Sequence, residues 1–519
     1  MRLSAKSRSM NVNETIYALA TSHARAGVAI VRVSGWQARE AASALARRSA
    51  RRKDGGERCD AKTNANEERT HKWTLRESTT ASDGERSIDV TTMTPRALRA
   101  VEFRRANAAS EALDFGFLAW FPAPRSFTGE DVVEFHFHGS LAVQRAILDE
   151  LGKLRGFRLA EPGEFSRRAF RNGKMDLTQA EGLADLLSAE TEGQRAQAMK
   201  LSRYGAQREM YERWRRELMT CAAHCEAALD FGEEEDISSD VVETDVRARV
   251  DALRATLQKY LDAPPRGEMI RRGVRVALVG APNVGKSSML NALAGRDAAI
   301  VSPHAGTTRD VLEVSLELGG YKVIVSDTAG IRETNDDVEK LGIARALRRA
   351  EDADVVVALG DVTNPDSDLR HLKAAVDLTN KTVITVLNKI DALSPGARRE
   401  LIEMENESAA DGHDVARVSC ATGEGFDDFV RALTRIVIQK CETSATDDDD
   451  ADALAITRSR HRVNVARCVE SLSAALDARA LELGAEELKL AARALARITG
   501  AYDVEDVLDI VFRDFCIGK

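Results

Sequence analysis

The segment that most constrains this chain is residues 280–287, Gly-Ala-Pro-Asn-Val-Gly-Lys-Ser. It reads G-x-x-x-x-G-K-S, follows the β-branched run 274–279 and precedes a helical pattern, which is the setting of a phosphate-binding loop. In such a loop the glycines let backbone N–H groups surround the phosphates, the lysine reaches the terminal phosphates and the serine hydroxyl binds Mg²⁺. The chain is therefore predicted to contain a parallel α/β domain that binds a nucleoside triphosphate through Lys286 and Ser287.

Two later motifs provide for the metal ion and the base. Residues 327–330, Asp-Thr-Ala-Gly, end the strand-like run 322–326, where a carboxylate is needed near Mg²⁺. Residues 388–391, Asn-Lys-Ile-Asp, follow the strand-like run 383–387. The carboxylate of Asp391 can accept two hydrogen bonds from the N1–H and 2-amino groups of guanine, which adenine lacks. Three motifs in this order predict a GTPase domain.

The segments after the first motif predict the switch chemistry. Residues 306–310, Gly-Thr-Thr-Arg-Asp, supply Thr308 to sense Mg²⁺ and the γ-phosphate. Ile331 stands where Ras-type enzymes have the glutamine that orients water, and an isoleucine cannot do so. Another group must position the water, and spacing alone does not choose among four acidic candidates, Glu333, Asp336, Asp337 and Glu339.

The length, charge and cysteine content of the chain limit the number of domains and the kinds of partner and compartment. The 519 residues predict about three domains, and no apolar run is long enough for a membrane-spanning helix. The net charge of −9 argues against binding nucleic acid by bulk charge. Seven scattered cysteines without a C-x-x-C pair argue against disulfides or structural zinc and favour a reducing compartment.

The pattern along the chain predicts a helical domain interrupted by an inserted α/β domain. Helical spacing extends over residues 177–230 and on to 261, and it returns after the acidic run 447–450. Strand patterns at 16–20, 28–33, 115–121 and 132–137 predict a β-containing N-terminal domain. Residues 47–92 are polar and charged and are predicted to be a mostly disordered insertion, with a basic RNA-binding arm as the alternative.

Motifs outside the GTPase domain carry a family resemblance. They are Thr-Ile-Tyr-Ala-Leu-Ala-Thr at 15–21, Phe-Thr-Gly-Glu-Asp at 127–131, Pro-Gly-Glu-Phe-Ser at 162–166, Asn-Gly-Lys-Met-Asp-Leu-Thr-Gln-Ala-Glu at 172–181, and Phe-Cys-Ile-Gly-Lys at 515–519. With these marks the chain resembles the tRNA-modification GTPase MnmE (TrmE) family over nearly its whole length.

The resemblance implies a multidomain fold of α/β and α+β parts. It implies an N-terminal α+β tetrahydrofolate-binding and dimerisation domain at 11–172, a split all-α helical domain at 173–268 and 443–519, and an inserted P-loop α/β GTPase domain at 269–442. It also implies a compartment that depends on the source: cytoplasm in a bacterium, or the mitochondrial or plastid matrix in a eukaryote.

The resemblance further implies a K⁺-activated GTPase that modifies the 5 position of the wobble uridine in tRNA. Family members act as homodimers in a heterotetramer with a MnmG/GidA-type flavoprotein that uses FAD and NADH. A tetrahydrofolate derivative, in the 5-formyl or 5,10-methylene form, provides the one-carbon unit of an aminomethyl-type or carboxymethylaminomethyl-type group. The alternatives are a ribosome-assembly GTPase of the Era/Der kind, which shares the nucleotide motifs, and a folate-dependent aminomethyltransferase with a regulatory GTPase domain.

The site residues of the family can be assigned to this chain by their positions in the shared motifs. The resemblance implies Glu339 as the water-positioning residue, with Lys286 and Thr308 also catalytic. It implies Mg²⁺ ligands Ser287 and Thr308, K⁺ ligands Asn283, Ser302, His304 and Thr307, and folate contacts Arg32, Glu134, Lys174 and Lys519. The expected GTP-binding residues are Asn283, Val284, Gly285, Lys286, Ser287, Ser288, Thr307, Thr308, Asp327, Thr328, Ala329, Gly330, Asn388, Lys389, Asp391, Ser419, Cys420 and Ala421.

Two further sets of side chains have more than one possible role. Cys516 is either a reactive thiol beside the folate or a buried packing residue. Glu134, His136 and His138 share one face of a predicted strand, so a metal site there is an alternative use of that strand.

Overall fold

The structure is a computed structural model in two compact units. It describes residues 14–48, 87–106, 111–231, 239–296, 299–300, 313–327, 351–363, 381–398, 414–442 and 456–502, and the single positions Leu508, Val511, Phe512, Phe515 and Gly518. One unit combines Met1–Asp176 with Val504–Lys519, and the other is Leu177–Asp503. No helix in these described ranges is long and apolar enough to cross a membrane.

The first unit is built on a seven-stranded sheet in the order β3-β4-β5-β6-β2-β1-β7, antiparallel except between β1 and β7. Its strands are β1 (Thr15–Leu19), β2 (Ala26–Ser34), β3 (Ala46–Arg48), β4 (Arg99–Arg104), β5 (Ala112–Phe121), β6 (Val132–Gly139) and β7 (Phe157–Leu159). Its helices are α1 (Ala38–Leu45), α2 (Leu141–Gly152) and α3 (Glu164–Arg171).

Alternation along the strands gives this sheet two different faces. Val133, Phe135 and Phe137 of β6 are buried in the core that α1 and α2 cover. Because successive side chains of a strand point to opposite faces, Glu134 lies on the other face, directly across from Arg32 of β2. The pairing register therefore places two of the expected folate contacts side by side.

Both ends of the segment 47–92, predicted to be a mostly disordered insertion, form regular structure. Arg47 and Arg48 belong to β3, and Val90–Thr92 form a 3₁₀ turn in which Val90 is fully buried. Ile88 is also buried in the core of the first unit. Isolated apolar residues in a polar stretch show no periodicity. The sequence pattern therefore does not distinguish the structured ends of the segment 47–92 from its middle. Residues 49–86 lie outside the described ranges.

The second unit contains the predicted helical domain, split around the α/β domain. Tyr211, Leu218, Val250, Val465 and Leu488 are among the buried side chains of one shared core. The helices before the α/β domain are α4 (Leu177–Ser188), α5 (Glu192–Tyr204), α6 (Ala206–Phe231), α7 (Ser239–Asp262) and α8 (Arg266–Arg272). The helices after it are α11 (Ser459–Asp477) and α12 (Leu481–Thr499). The prediction of a split helical domain is confirmed.

A buried ion cluster joins the two halves of the helical domain. Glu181 of α4 accepts two hydrogen bonds of 2.6 Å from the guanidinium of Arg460, and its Oε2 lies 3.0 Å from Nε2 of His461. Burial alone would raise the pKa of the Glu181 carboxyl, but the charge of Arg460 and the hydrogen bonds from Arg460 and His461 outweigh burial and lower it. An unpaired buried carboxylate would be costly, so the cluster requires both halves of the split domain to be in place.

The inserted domain is a six-stranded sheet in the order β13-β12-β11-β8-β10-β9, parallel except for β9. Its strands are β8 (Val274–Gly280), β9 (Glu313–Leu318), β10 (Tyr321–Asp327), β11 (Val355–Asp361), β12 (Thr382–Asn388) and β13 (Asp414–Arg417). Its described helices are α9 (Lys286–Ala294) and α10 (Phe426–Cys441). The carboxyl ends of β8, β10 and β12 carry the three nucleotide motifs at one edge of the sheet.

Candidate functional site

The phosphate-binding loop passes too close to its neighbours for side chains at its two glycines. A Cβ on Gly280 would lie 2.6 Å from the carbonyl oxygen of Leu359, and one on Gly285 would lie 2.2 Å from Nδ2 of Asn388. Gly285 also has a φ of +105°, which L-residues with a side chain rarely adopt. The loop leads into α9, whose first residue is Lys286, so the expected strand–loop–helix arrangement is present.

The side chains expected around the phosphates and Mg²⁺ lie together. Nζ of Lys286 donates to the carbonyl oxygens of Gly280 and Ala281 at 2.7 and 2.8 Å. Oγ of Ser287 donates to Oδ2 of Asp327 at 2.9 Å, and Asp327 is buried. A hydroxyl beside a carboxylate is an oxygen donor set of the kind that Mg²⁺ prefers. These residues therefore fit a magnesium–nucleotide site.

Asn388 joins the phosphate loop to the guanine loop. Its Nδ2 donates to the carbonyl oxygen of Val284 at 2.8 Å, and its Oδ1 accepts from the backbone N–H of Cys420 at 3.1 Å. Ser419 is fully buried, and its Oγ accepts from the N–H of Thr422 at 3.1 Å. Burial, with the Asp391 carboxylate nearby, raises the pKa of the Cys420 thiol to about 11, so this thiol is protonated near neutral pH.

A carboxylate that the sequence analysis did not single out holds the lysine of the base motif. Oδ2 of Asp361, at the end of β11, accepts from Nζ of Lys389 at 2.6 Å, and its Oδ1 accepts from the N–H and hydroxyl of Thr363. Lys389 has a φ of +67°, unusual for a residue with a side chain. The signal available in the sequence was an aspartate at the end of the strand next to the one that carries 388–391.

Several expected residues lie outside the described ranges. They are Ser302, His304, Thr307, Thr308, Thr328, Ala329, Gly330, Glu339, Cys516 and Lys519. Asn283, the described member of the expected K⁺ set, is exposed on the phosphate loop with a φ of +64°. Ser288 and Ala421 are exposed beside their motif partners.

On the face of the first sheet opposite α1 and α2, Arg32 and Glu134 form a half-buried ion pair. Nε of Arg32 donates to Oε1 of Glu134 at 3.0 Å, and Nε2 of His136 lies 3.4 Å from Oε2. Burial would raise the pKa of the Glu134 carboxyl, but His136 and Arg32 outweigh burial and lower it. The Arg32 guanidinium lies 5.3 Å from the ring centre of Phe127 and 5.9 Å from that of Phe165.

Comparison with known proteins decides the family. A model of the MnmE helical domain matches residues 177–516, and a model of the TrmE N-terminus matches residues 15–174. The tRNA modification GTPase MnmE of Parvibaculum lavamentivorans is 45% identical over 98% of this chain and 100% of its own length. The chain belongs to the MnmE family.

Two further relatives agree with this assignment. The MnmE protein of Paramagnetospirillum magneticum is 42% identical over 98% of this chain and 100% of its own length. A mitochondrial 5-taurinomethyluridine-[tRNA] synthase subunit of Danio rerio is 39% identical over 98% of this chain and 93% of its own length. A solved structure of Aquifex aeolicus Era covers 31% of this chain and 56% of its own length at 31% identity, with a TM-score of 0.26.

The MnmE motifs 127–131 and 172–176 contact each other. Nδ2 of Asn172 donates to the carbonyl oxygen of Thr128 at 2.7 Å, and Nζ of Lys174 donates to that of Pro124 at 3.0 Å. A Cβ on Gly129 would lie 3.0 Å from that of Asn172, and the φ of Gly129 is +81°. The glycine of Phe-Thr-Gly-Glu-Asp is therefore required by the close approach of the loop that carries Lys174.

A second contact explains the acidic residues of the MnmE motifs at 127–131 and 162–166. Glu130 accepts from Oγ of Ser34 at 2.7 Å and from the guanidinium of Arg168 at 3.0 Å. Buried Glu164 accepts from Arg158 at 2.6 Å, and this pairing outweighs burial and lowers the pKa of the Glu164 carboxyl. These charges hold the loop that carries Phe127 and the start of α3, which carries Phe165, beside Arg32.

The carboxyl-terminal positions of the chain pack on the same N-terminal unit. A Cβ on Gly163 would lie 2.3 Å from the carbonyl oxygen of Phe512, and one on Gly518 would lie 2.2 Å from that of Leu19. Phe512 is buried, and its ring lies 6.5 Å from that of Phe170. The described end of the MnmE-type tail thus folds back onto the sheet that carries Arg32 and Glu134.

The alternative of a metal site on β6 gains no support from the residues described. His138 pairs with Asp114 at 2.8 Å, whereas His136 faces Glu134. Among the described ranges there is no group of three or more His, Cys, Asp or Glu side chains that could hold one metal ion.

Proposed function

We propose that the protein is a GTP hydrolase that acts in the modification of the wobble uridine of tRNA. The observation that carries this proposal is that relatives named tRNA modification GTPase MnmE align with 98% of the chain. The alignment includes the N-terminal unit as well as the nucleotide domain, and an Era/Der-type switch offers no counterpart for the former. The Danio rerio relative, named for 5-taurinomethyluridine synthesis, indicates the same class of product.

The nucleotide site supports the hydrolase part of the proposal. Ser287 and Asp327 would hold Mg²⁺, which neutralises charge on the β- and γ-phosphates when it is bound. Lys286 contributes a cation at the same phosphates, and Asn388 fixes the phosphate loop relative to Cys420. Asp391 provides the carboxylate that distinguishes guanine from adenine.

We assign the water-positioning role to Glu339 and the K⁺ ligation to Asn283, with Ser302, His304 and Thr307 completing the ion's shell. A monovalent cation beside the phosphates would supply the positive charge that an arginine finger supplies in other GTPases. Ile331, which cannot orient water, makes a separate water-positioning group necessary. Thr308 would complete the Mg²⁺ shell.

We assign folate binding to the face of the N-terminal sheet that carries Arg32 and Glu134. Glu134, held by Arg32, offers carboxylate oxygens to pterin N–H groups, and Lys174 and Lys519 offer cations to the glutamate tail. The assignment rests on the Arg32–Glu134 pair and on the close approach of the described tail to Leu19 of β1, the strand next to β2. The folate would supply a one-carbon unit, and a flavoprotein of the MnmG/GidA type would supply FAD and NADH chemistry.

The proposed assembly is a homodimer that joins such a flavoprotein and takes tRNA as substrate. Because this chain has a net charge of −9, much of the cationic surface for tRNA is expected on the partner. The compartment follows the source of the chain, and one relative is named as mitochondrial.

GTP turnover in K⁺ and in Na⁺ tests the proposed GTPase mechanism. We expect faster turnover in K⁺ and loss of that preference in Asn283→Lys, because the lysine ammonium takes the place of the ion. Equal rates of the wild-type protein in the two salts would refute K⁺ activation. Asn291→Ala, at an exposed position of α9 outside the motif, is the control and should keep the K⁺ preference.

A further inference from the structure

The first turn of α5 in the helical domain contacts the turn between β9 and β10 of the GTPase domain. The N–H of Gly193 donates to the carbonyl oxygen of Gly320 at 2.8 Å. The Glu190 carboxylate pairs with Nζ of Lys322, and the two side chains are only 28% and 20% exposed. A Cβ on Gly193 would lie 2.7 Å from the ring of Tyr321, so a larger residue here would displace that ring.

The same helix end also holds the segment that leads into the GTPase domain. Thr191 and Gln194 form a capping box at the start of α5. Nε2 of Gln194 donates to the carbonyl oxygen of Arg271 at 3.0 Å, and that of Gln197 donates to Gly267 at 3.1 Å. One helix end therefore contacts two separate parts of the chain, the β9–β10 turn and α8.

The far end of β10 lies in the nucleotide site. Asp327, its last residue, accepts from the Ser287 hydroxyl at 2.9 Å. Between Lys322 and Asp327 the strand is hydrogen-bonded on both sides, to β9 and to β8, and spans roughly 17 Å at a strand rise of about 3.3 Å per residue. A strand held on both sides shifts as a unit, so a displacement at Asp327 reaches the Glu190–Lys322 pair.

The contact continues into the core of the helical domain. A Cβ on Gly182 of α4 would lie 2.7 Å from the N atom of Ser202 in α5, so the two helices pack backbone to backbone. In α4, Glu181 is bound by Arg460 at 2.6 Å and Asp185 by Arg458 at 2.7 Å. A movement of α5 is thus passed through α4 to the start of α11.

We propose that the Glu190–Lys322 pair couples the GTPase centre to the helical domain, and that Glu190 is a positioning residue for the tRNA-modifying reaction. The pair fixes the turn of the β9–β10 hairpin to α5, so that changes at Asp327 during the GTP cycle move the helical domain. Without the pair, GTP is still hydrolysed, but hydrolysis no longer drives modification. This inference rests on the proposed function in tRNA modification.

Reversal of charge tests the coupling. Glu190→Lys, Lys322→Glu and the double reversal are expressed in a bacterial strain that lacks its own MnmE, and wobble nucleosides and GTP turnover are measured. We expect each single reversal to retain GTP hydrolysis and to lower the modified fraction at least about fivefold, a typical coupling effect. The double reversal restores the pair with opposite polarity and should restore modification. Glu190→Gln should give a smaller loss in the same direction.

The matched control is Glu192→Lys, two positions after Glu190 and at the first residue of α5. Glu192 pairs with Arg195 on the surface, where the side chains are 65% and 52% exposed, and its reversal should leave modification unchanged. Normal modification by both single reversals, or no recovery in the double reversal, would overturn the proposal. Failure of the wild-type protein to restore modification would instead refute the proposed function.

Discussion

Asn388 and Val284 are joined by a hydrogen bond of 2.8 Å from the side-chain Nδ2 to the backbone carbonyl oxygen. The same side chain accepts from the N–H of Cys420, and only 2% of Asn388 is exposed. Two loops that bind opposite ends of the nucleotide therefore depend on one buried amide. Loss of that amide leaves a carbonyl and an N–H unpaired, at about 1–3 kcal/mol for each buried group.

Asn388→Ala should therefore weaken GTP binding by at least about tenfold, since about 1.4 kcal/mol corresponds to that factor. Titration with a fluorescent GTP analogue measures the change. Asn291→Ala, at an exposed position of α9, is the control and should bind as the wild-type protein does. Equal affinities of the two variants would show that Asn388 does not organise the site.

The tail contact at Gly163 gives a stability prediction with an internal control. Gly163 and Gly173 have nearly the same φ, +68° and +65°, but only Gly163 has a backbone atom of the tail within reach of a Cβ. Both alanine variants incur the cost of the left-handed conformation, roughly 1–2 kcal/mol. Gly163→Ala should lower the thermal midpoint clearly more than Gly173→Ala, because it also displaces Phe512. Equal midpoints would mean that the tail is not packed there.

The buried cluster around His461 predicts a loss of stability in mild acid. Burial, with Arg460 nearby, lowers the pKa of the His461 imidazole to about 4 although Glu181 opposes the shift, whereas the unfolded side chain has its ordinary value near 6.5. The unfolded state therefore binds the proton first, and stability falls as the pH drops from about 6.5 towards 4, by at most about 1.4 kcal/mol per unit.

Thermal midpoints at pH 7.5 and 5.5 check this linkage. The drop in midpoint between the two values should be smaller in His461→Gln than in the wild-type protein, because the variant lacks the titrating group. His224→Gln, at an exposed position of α6 in the same domain, should show the wild-type drop. An equal drop in His461→Gln would contradict the assignment of a neutral, buried imidazole.

The Arg32–Glu134 pair predicts that folate binding can be weakened without a change in GTP turnover. Arg32→Met should reduce binding of 5-formyltetrahydrofolate while GTP turnover is kept, because Arg32 lies in the N-terminal unit. Isothermal titration measures the loss. Arg39→Met removes a comparable arginine that pairs with Asp131 and lies over Trp120, and it should bind the folate normally. Equal binding by both variants would remove Arg32 from the folate site.

The pattern of residues alone predicts the regular secondary structure of this molecule and the motifs at the ends of its strands. The runs 274–279 and 383–387 became β8 and β12, because β-branched runs bounded by glycine and asparagine fit buried parallel strands. The three motifs identified Lys286, Ser287, Asp327 and Asn388, which the fold brings together at the ends of neighbouring strands.

The sequence pattern could not predict contacts between segments that are far apart in the chain. Asp361 reads as an ordinary strand end, and only the pairing of β11 with β12 places it against Lys389. Glu190 and Lys322 are 132 positions apart, and neither belongs to a motif. Val90 falls within the predicted insertion, because a single apolar residue shows no periodicity, yet its side chain is fully buried.

The most direct test of the account is nucleoside analysis of tRNA from a bacterial strain that lacks its own MnmE and expresses this chain. We expect the wild-type chain to restore the 5-substituted wobble uridines, and Lys286→Ala, which lacks the phosphate-loop cation, to leave them unmodified. Unmodified wobble uridines in the presence of folded, GTP-hydrolysing wild-type protein would contradict the account, as would full restoration by Lys286→Ala.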